Sequence, residues 1–132
     1  MKLTDEERKY VVEHRIHRAK ETLTEAKGNI EMEFWHTAVN RLYYACYYAA
    51  SALLIRDEHI VKTHSGAIGL LGEHFISKGL IDKEQGAFYS QLFELRQKGD
   101  YNDWIDVDPE QVKSAVNPAE EFIATIEKLI NQ

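Results

Sequence analysis

Cysteine is nearly absent from this sequence: Cys46 is its one thiol in 132 residues. Neither an intramolecular disulfide framework nor a thiolate metal cage can form, and a reducing cytoplasm is the expected compartment. Proline occurs twice and glycine seven times, which excludes collagen-like and linker-rich architectures. Long apolar runs are missing as well. The richest, Tyr43 to Ile55, is interrupted by Ser51 and holds too many tyrosines to cross a bilayer. The opening residues Met1-Lys2-Leu3-Thr4-Asp5-Glu6-Glu7 contain no signal-peptide core, so no membrane association is expected.

Basic charge is short too. There are 16 Lys and Arg against 22 Asp and Glu, a net charge of −6. The deficit lies wholly in residues 100–132, where Lys113 and Lys128 face eight carboxylates. No basic stripe suited to a phosphate backbone runs along the chain, and the acidic quarter reads as a solvated helix face. Contact with nucleic acid would need arginines and lysines concentrated locally, or a second chain.

What the chain has in abundance is helical periodicity. With 44% hydrophobic residues, residues 1–132 are expected to form a single domain around one core. Thr4-Asp5-Glu6-Glu7 is a capping-box pattern that opens a first helix. Val12, Ile16, Ala19, Leu23, Ala26 and Ile30 then mark one face, and Gly28-Asn29 reads as the stop. A second helix, Glu33 to Arg56, is apolar nearly all round and should sit among the others. Ser65 reads as the cap of a third helix, Gly66 to Ser77, stopped by Gly79. The spacing of Gly66, Gly69 and Gly72 suits close packing. Asp82 with Gln85 opens a fourth helix lined by Phe88, Leu92 and Leu95. After a loop over Asn102–Val107, Asp108-Pro109 opens a fifth, which Pro118 must kink or restart. No segment alternates with period two. The expected fold is all-α, an up-and-down bundle of four to five antiparallel helices.

Three groups of residues on this frame carry a likeness to a known family. They are Ala38-(x)2-Arg41-(x)-Tyr43-Tyr44-Ala45 on the central helix, Thr63-His64-(x)-Gly66 opening the next, and Arg96 with Asp100-Tyr101 closing the fourth. In this order and spacing the chain resembles the HEPN family (higher eukaryotes and prokaryotes nucleotide-binding domain) from about residue 10 to residue 130, and in particular its small stand-alone bacterial and archaeal members. The resemblance implies a bundle that dimerises. It also implies a neighbouring minimal nucleotidyltransferase as partner, the two acting as toxin and antitoxin or as a nucleotide-handling complex. Active members are metal-independent ribonucleases, so no cofactor is implied. They use an Arg followed four to six residues later by a His at the dimer interface. Here Arg96 matches the Arg, and the corresponding His is replaced by Tyr101.

That replacement bears on chemistry. Metal-free RNA cleavage needs one group to accept the 2′-hydroxyl proton and another to protonate the leaving oxygen near neutral pH. Imidazole suits the task, whereas a phenol with a pKa of about 10 beside the carboxylate of Asp100 does not. The expected catalytic pair, if chemistry survives, is Arg96 with Tyr101 or His64. The expected ligand or interface set is Arg41, Tyr44, His64, Arg96 and Asp100. Tyr101 is also a candidate for adenylylation by the partner. Each residue has a plainer use. Arg96 is within ion-pair reach of Asp100 on the same helix, Arg41 on a buried helix calls for a carboxylate, and His64 suits a helix cap. Tyr43, Tyr44, Tyr47 and Tyr48 serve a core and dimer seam, or stack bases. His14 and His17 lack a third metal ligand, so no metal site is expected. Three functions remain open: a homodimeric HEPN protein binding a nucleotide or nucleotidyltransferase, an endoribonuclease toxin acting on RNA, and a structural helical adaptor.

Overall fold

A computed structural model describes residues 2–101 and 106–132, with Tyr101 described by its backbone alone. Among the described residues the architecture is an all-α bundle of six helices: α1 (Asp5–Glu31), α2 (Trp35–Arg56), α3 (His64–Leu71), α4 (Lys83–Tyr101), α5 (Pro109–Ser114) and α6 (Val116–Ile130). The loop expected over Asn102–Val107 lies outside the described residues except for Asp106 and Val107.

Helix α2 is the axis of the bundle and packs against α1, α3, α4 and α6. Its alanines at 38, 45, 49, 50 and 52 are fully buried, so neighbouring backbones approach closely on several sides. Tyr43, Tyr89, Phe75 and Phe122 are the bulkiest side chains with almost no exposure. Tyr89 stacks between Tyr43 and Phe122, with ring centroids 6.0 and 5.1 Å away. Lys20–Glu127 at 2.6 Å and Lys27–Glu120 at 2.8 Å link the outer faces of α1 and α6.

Both ends of α1 are informative. Thr4 Oγ1 accepts from Glu7 N–H at 3.1 Å while the Glu7 carboxylate accepts from Thr4 N–H at 2.8 Å, completing the expected capping box. The expected stop at Gly28-Asn29 is wrong, since the helix continues through both to Glu31. Its reversal comes at Glu33, which adopts φ 61° while Phe34 N–H bonds to the Asn29 carbonyl and Glu33 N–H to that of Ile30. This is a Schellman ending with glutamate where glycine is usual. Helix α2 repeats it at Glu58 (φ 63°), and the segment after α3 ends the same way at Gly79 (φ 74°), the stop read from the sequence.

Two further expectations are corrected. The third helix is capped by Thr63, whose Oγ1 accepts from Gly66 N–H at 2.9 Å, and not by Ser65. Nor is it regular to Ser77. Over Gly72–Ile76 it widens so that Ser77 N–H reaches back five residues to the Gly72 carbonyl. Of its glycines, only Gly66 is at a close approach, where a Cβ would fall 2.8 Å from Thr63 Oγ1. Gly69 and Gly72 have open space. Downstream, Asp108 caps α5 with Pro109 at the first turn, as read from the sequence. The chain breaks at Ala115 and restarts as α6, because Pro118 offers no N–H to the carbonyl four residues back.

A glutamate in left-handed backbone costs about 1–2 kcal/mol, of which glycine's extra chain entropy returns part. Glu33→Gly should therefore stabilise the bundle by about 0.5–1 kcal/mol in urea unfolding. An unchanged or lower midpoint would show that the Glu33 side chain has a role outweighing its backbone.

Candidate functional site

Helices α2, α3 and α4 bring Arg41, Tyr44, His64, Arg96 and Asp100 into one cluster, although they lie far apart in the sequence. Arg96 is its centre. One turn of helix separates it from Asp100, so Nε donates to Asp100 Oδ2 at 3.0 Å, while Nη2 donates to the Tyr44 hydroxyl at 3.3 Å. The guanidinium lies 5.3 Å from the Tyr43 ring centroid and 5.2 Å from that of Tyr44. A planar cation against two aromatic rings gains from their quadrupoles and stays weakly hydrated, so arginine suits this half-enclosed position better than lysine.

The imidazole of His64, the first residue of α3, completes the group. Its Nδ1 is 2.7 Å from the Tyr43 hydroxyl, and its ring packs 4.5 Å from Tyr47 and 5.6 Å from Tyr44. Burial pushes the Tyr43 phenol well up from its ordinary value, so it keeps its proton. The hydroxyl and Nδ1 share one proton between them, and either can be the donor. Where the phenol donates, neutral His64 carries its own proton on Nε2. The pKa of His64 is lowered, first by burial and then by the nearby Arg96 charge. The result is a neutral imidazole with a donor N–H, next to a fixed cation.

Also against the Tyr44 ring, Arg41 donates Nε and Nη2 to the Asn40 amide oxygen at 3.1 and 2.8 Å, and lies 5.3 Å from the Tyr44 centroid. The carboxylate expected for it is Glu25 on α1, at 3.5 Å. Arg41 is not deeply buried, as that expectation supposed. Its side chain is one-quarter exposed, which lowers the cost of a loose pair. Arg15 and Arg18 extend the pattern, 5.8 and 5.6 Å from the Tyr48 centroid. Folding thus concentrates four arginines on a tyrosine face where the sequence offered no basic stripe. The charge is tempered, because Arg18 meets Glu21 and Glu25.

Tyr101 ends α4, but its side chain lies outside the described residues, so its expected roles have no geometry here. Sequence reasoning missed Asn40, Tyr43 and His36. Asn40 falls at an unspecified position of the motif on the central helix, and Tyr43 reads from the sequence as core, dimer seam or base stack and not as a partner of His64. His36, exposed on α2, approaches the last turn of α4, where a Cβ on Gly99 would lie 3.5 Å from its Nδ1. The signal available was Gly99 itself, a helix-weakening residue beside the motif. His14 and His17 are engaged locally, with Tyr10 and Glu21.

An all-helical bundle with an arginine–tyrosine–imidazole cluster at the end of its fourth helix defines a narrow class of protein. The chain belongs to the HEPN domain family, whose family model matches residues 12–129. It is 40% identical over 124 residues to a "UPF0332 protein" of Thermotoga maritima, covering 94% of each chain. It is also 32% identical over 114 residues to a Methanocaldococcus jannaschii protein named "Putative toxin MJ0605", covering 86% of this chain and 84% of the relative. In fold it is similar to the crystal structure of TT1696 from Thermus thermophilus, with a TM-score of 0.75 at 15% identity over 89% of this chain and 96% of that one. Among the described residues no helix is long and apolar enough to cross a membrane.

The lowered His64 value has a pH consequence. A depressed folded-state pKa contributes stability that is complete above the ordinary histidine value and is lost as pH falls through the lowered one. Titration of the His64 ring by NMR should give a midpoint below that of free histidine in the same buffer. A midpoint at or above it would contradict the burial and the Arg96 contact.

Proposed function

We propose that this protein is the binding member of a toxin–antitoxin-type pair, grasping a nucleotide or a nucleotidyltransferase partner at Arg96 as a homodimer, without ribonuclease chemistry. The toxin in the name of the Methanocaldococcus jannaschii relative supports the setting. One observation carries the choice of binding over cleavage, the 2.7 Å contact of Tyr43 with His64 Nδ1. In this reading the phenol donates to Nδ1 and Nε2 is protonated, so neutral His64 has no free lone pair to take a 2′-hydroxyl proton. It serves as a hydrogen-bond donor, and with Arg96 it presents two donors suited to a phosphate. Asp100 and Tyr44 hold the guanidinium, and Tyr47 offers a half-buried ring for a base.

A second reading, a metal-independent endoribonuclease, has its own support: His64 and His36 both bring imidazoles to the neighbourhood of Arg96 and the last turn of α4. Two measurements divide these readings from each other and from a bare structural adaptor. Incubation with total RNA at neutral pH is expected to leave it intact for wild type and Arg96→Ala alike. Cleavage that disappears in Arg96→Ala or His64→Ala would establish the enzyme. Calorimetric titration with ATP and related nucleotides should show binding that weakens at least tenfold, about 1.4 kcal/mol, in Arg96→Ala. A flat wild-type titration, with no nucleotidyltransferase bound either, would leave the adaptor.

A further inference from the structure

Arg41 is held in an unusual way for an arginine that is one-quarter exposed. Both Nε and Nη2 donate to one amide oxygen, that of Asn40. A neutral acceptor fixes the guanidinium without cancelling its charge. Its carboxylate contact among the described residues, Nη1 to Glu25 at 3.5 Å, is long, and Glu25 is shared with Arg18 at 3.6 Å. The same Asn40 donates Nδ2 to Asp100 Oδ2 at 3.4 Å, and that oxygen also accepts from Arg96 Nε at 3.0 Å. One amide therefore ties two guanidiniums into one network. Both lie against a single ring, with the Tyr44 centroid 5.3 Å from Arg41 and 5.2 Å from Arg96.

Packing alone does not call for this arrangement. Asp100 answers the Arg96 charge, whereas Arg41 has only the long contact to a shared Glu25, so the pair keeps surplus positive charge that a bound anion would relieve. A single phosphate is satisfied by one guanidinium fork with one further donor, here Arg96 with the Nε2–H of His64. On Arg41, Nη1 has only the long Glu25 contact beyond the two bonds to Asn40, and it is the donor left over.

We infer that Arg41 and Arg96 form a two-point receptor for two linked phosphate groups, as in a nucleoside di- or triphosphate, with Asn40 as the positioning residue. The inference rests on the nucleotide reading of the site. Arg96 takes one phosphate and Arg41 the next. Asn40 aligns Arg41 through its amide oxygen, so a carboxylate at this position would keep the guanidinium in place but neutralise it.

The test is calorimetric titration of AMP, ADP and ATP, without metal, into wild type and four variants whose folding is checked by thermal melting. ADP and ATP should bind wild type at least tenfold more tightly than AMP. Arg41→Ala and Asn40→Ala should erase that margin, while Arg96→Ala weakens all three. Asn40→Asp should also erase the margin, whereas a merely structural Asn40 would weaken AMP, ADP and ATP alike. Equal wild-type affinity for AMP and ADP, or an Arg41→Ala variant that weakens all three alike, would overturn the receptor while leaving the nucleotide site standing. Failure of every nucleotide to bind wild type would sink the nucleotide reading and this inference together.

Discussion

Helix α2 is buried on nearly every side, and the site follows from that. Tyr43 is buried outright and Asn40, Arg41 and Tyr44 are partly so, and each finds a partner on α1, α3 or α4. The alanines along α2 let those helices come close enough to supply them. Tyr43 meets His64, Tyr44 meets Arg96, and Asn40 meets Asp100. The polar cluster is thus the residue of a packing problem solved with hydrogen bonds and stacked cations, and its rigidity comes from the core beneath it.

Rigidity of this kind favours recognition over proton transfer. A general base must present a free lone pair and change its charge readily near neutral pH. In this cluster the imidazole is pinned through Nδ1 by a phenol that holds its proton, and both burial and Arg96 oppose its charging. Arg96 is likewise committed through Asp100 and Tyr44 before any ligand arrives. Pre-ordered donors bind an anion with little loss of side-chain freedom, which is how such a site gains affinity.

Much of the fold was legible because it is local. The Thr4 box, the Asp108-Pro109 opening, the Gly79 stop and the Pro118 break each rest on residues within one turn of each other. The Arg96–Asp100 pair was legible for the same reason. The misreadings share a different cause. Gly28-Asn29 looked like a stop, yet the chain turns at Glu33, because tertiary packing forces a left-handed glutamate where propensity would ask for glycine. Ser65 and Thr63 are equally good caps on paper, and only the direction of the incoming loop chooses between them. The wide turn at Gly72–Ile76 has no sequence signature. In the site, residue types named from the motifs do converge. The Asn40 bridge, the His36–Gly99 approach and the gathering of Arg15, Arg18, Arg41 and Arg96 depend on how three helices meet, which no spacing along one helix reports.

Central to the proposed reading is that the Tyr43 phenol donates to His64 and so fixes its tautomer, leaving the site to grip an anion and not to move a proton. Long-range nitrogen-15 NMR of the imidazole, on the folded protein above the ring's titration, reads this directly. The expected result is a proton on Nε2 and a bare Nδ1 accepting from Tyr43, with the tautomer becoming mixed in Tyr43→Phe. A wild-type ring protonated on Nδ1, with Nε2 bare and facing the cluster, would contradict it.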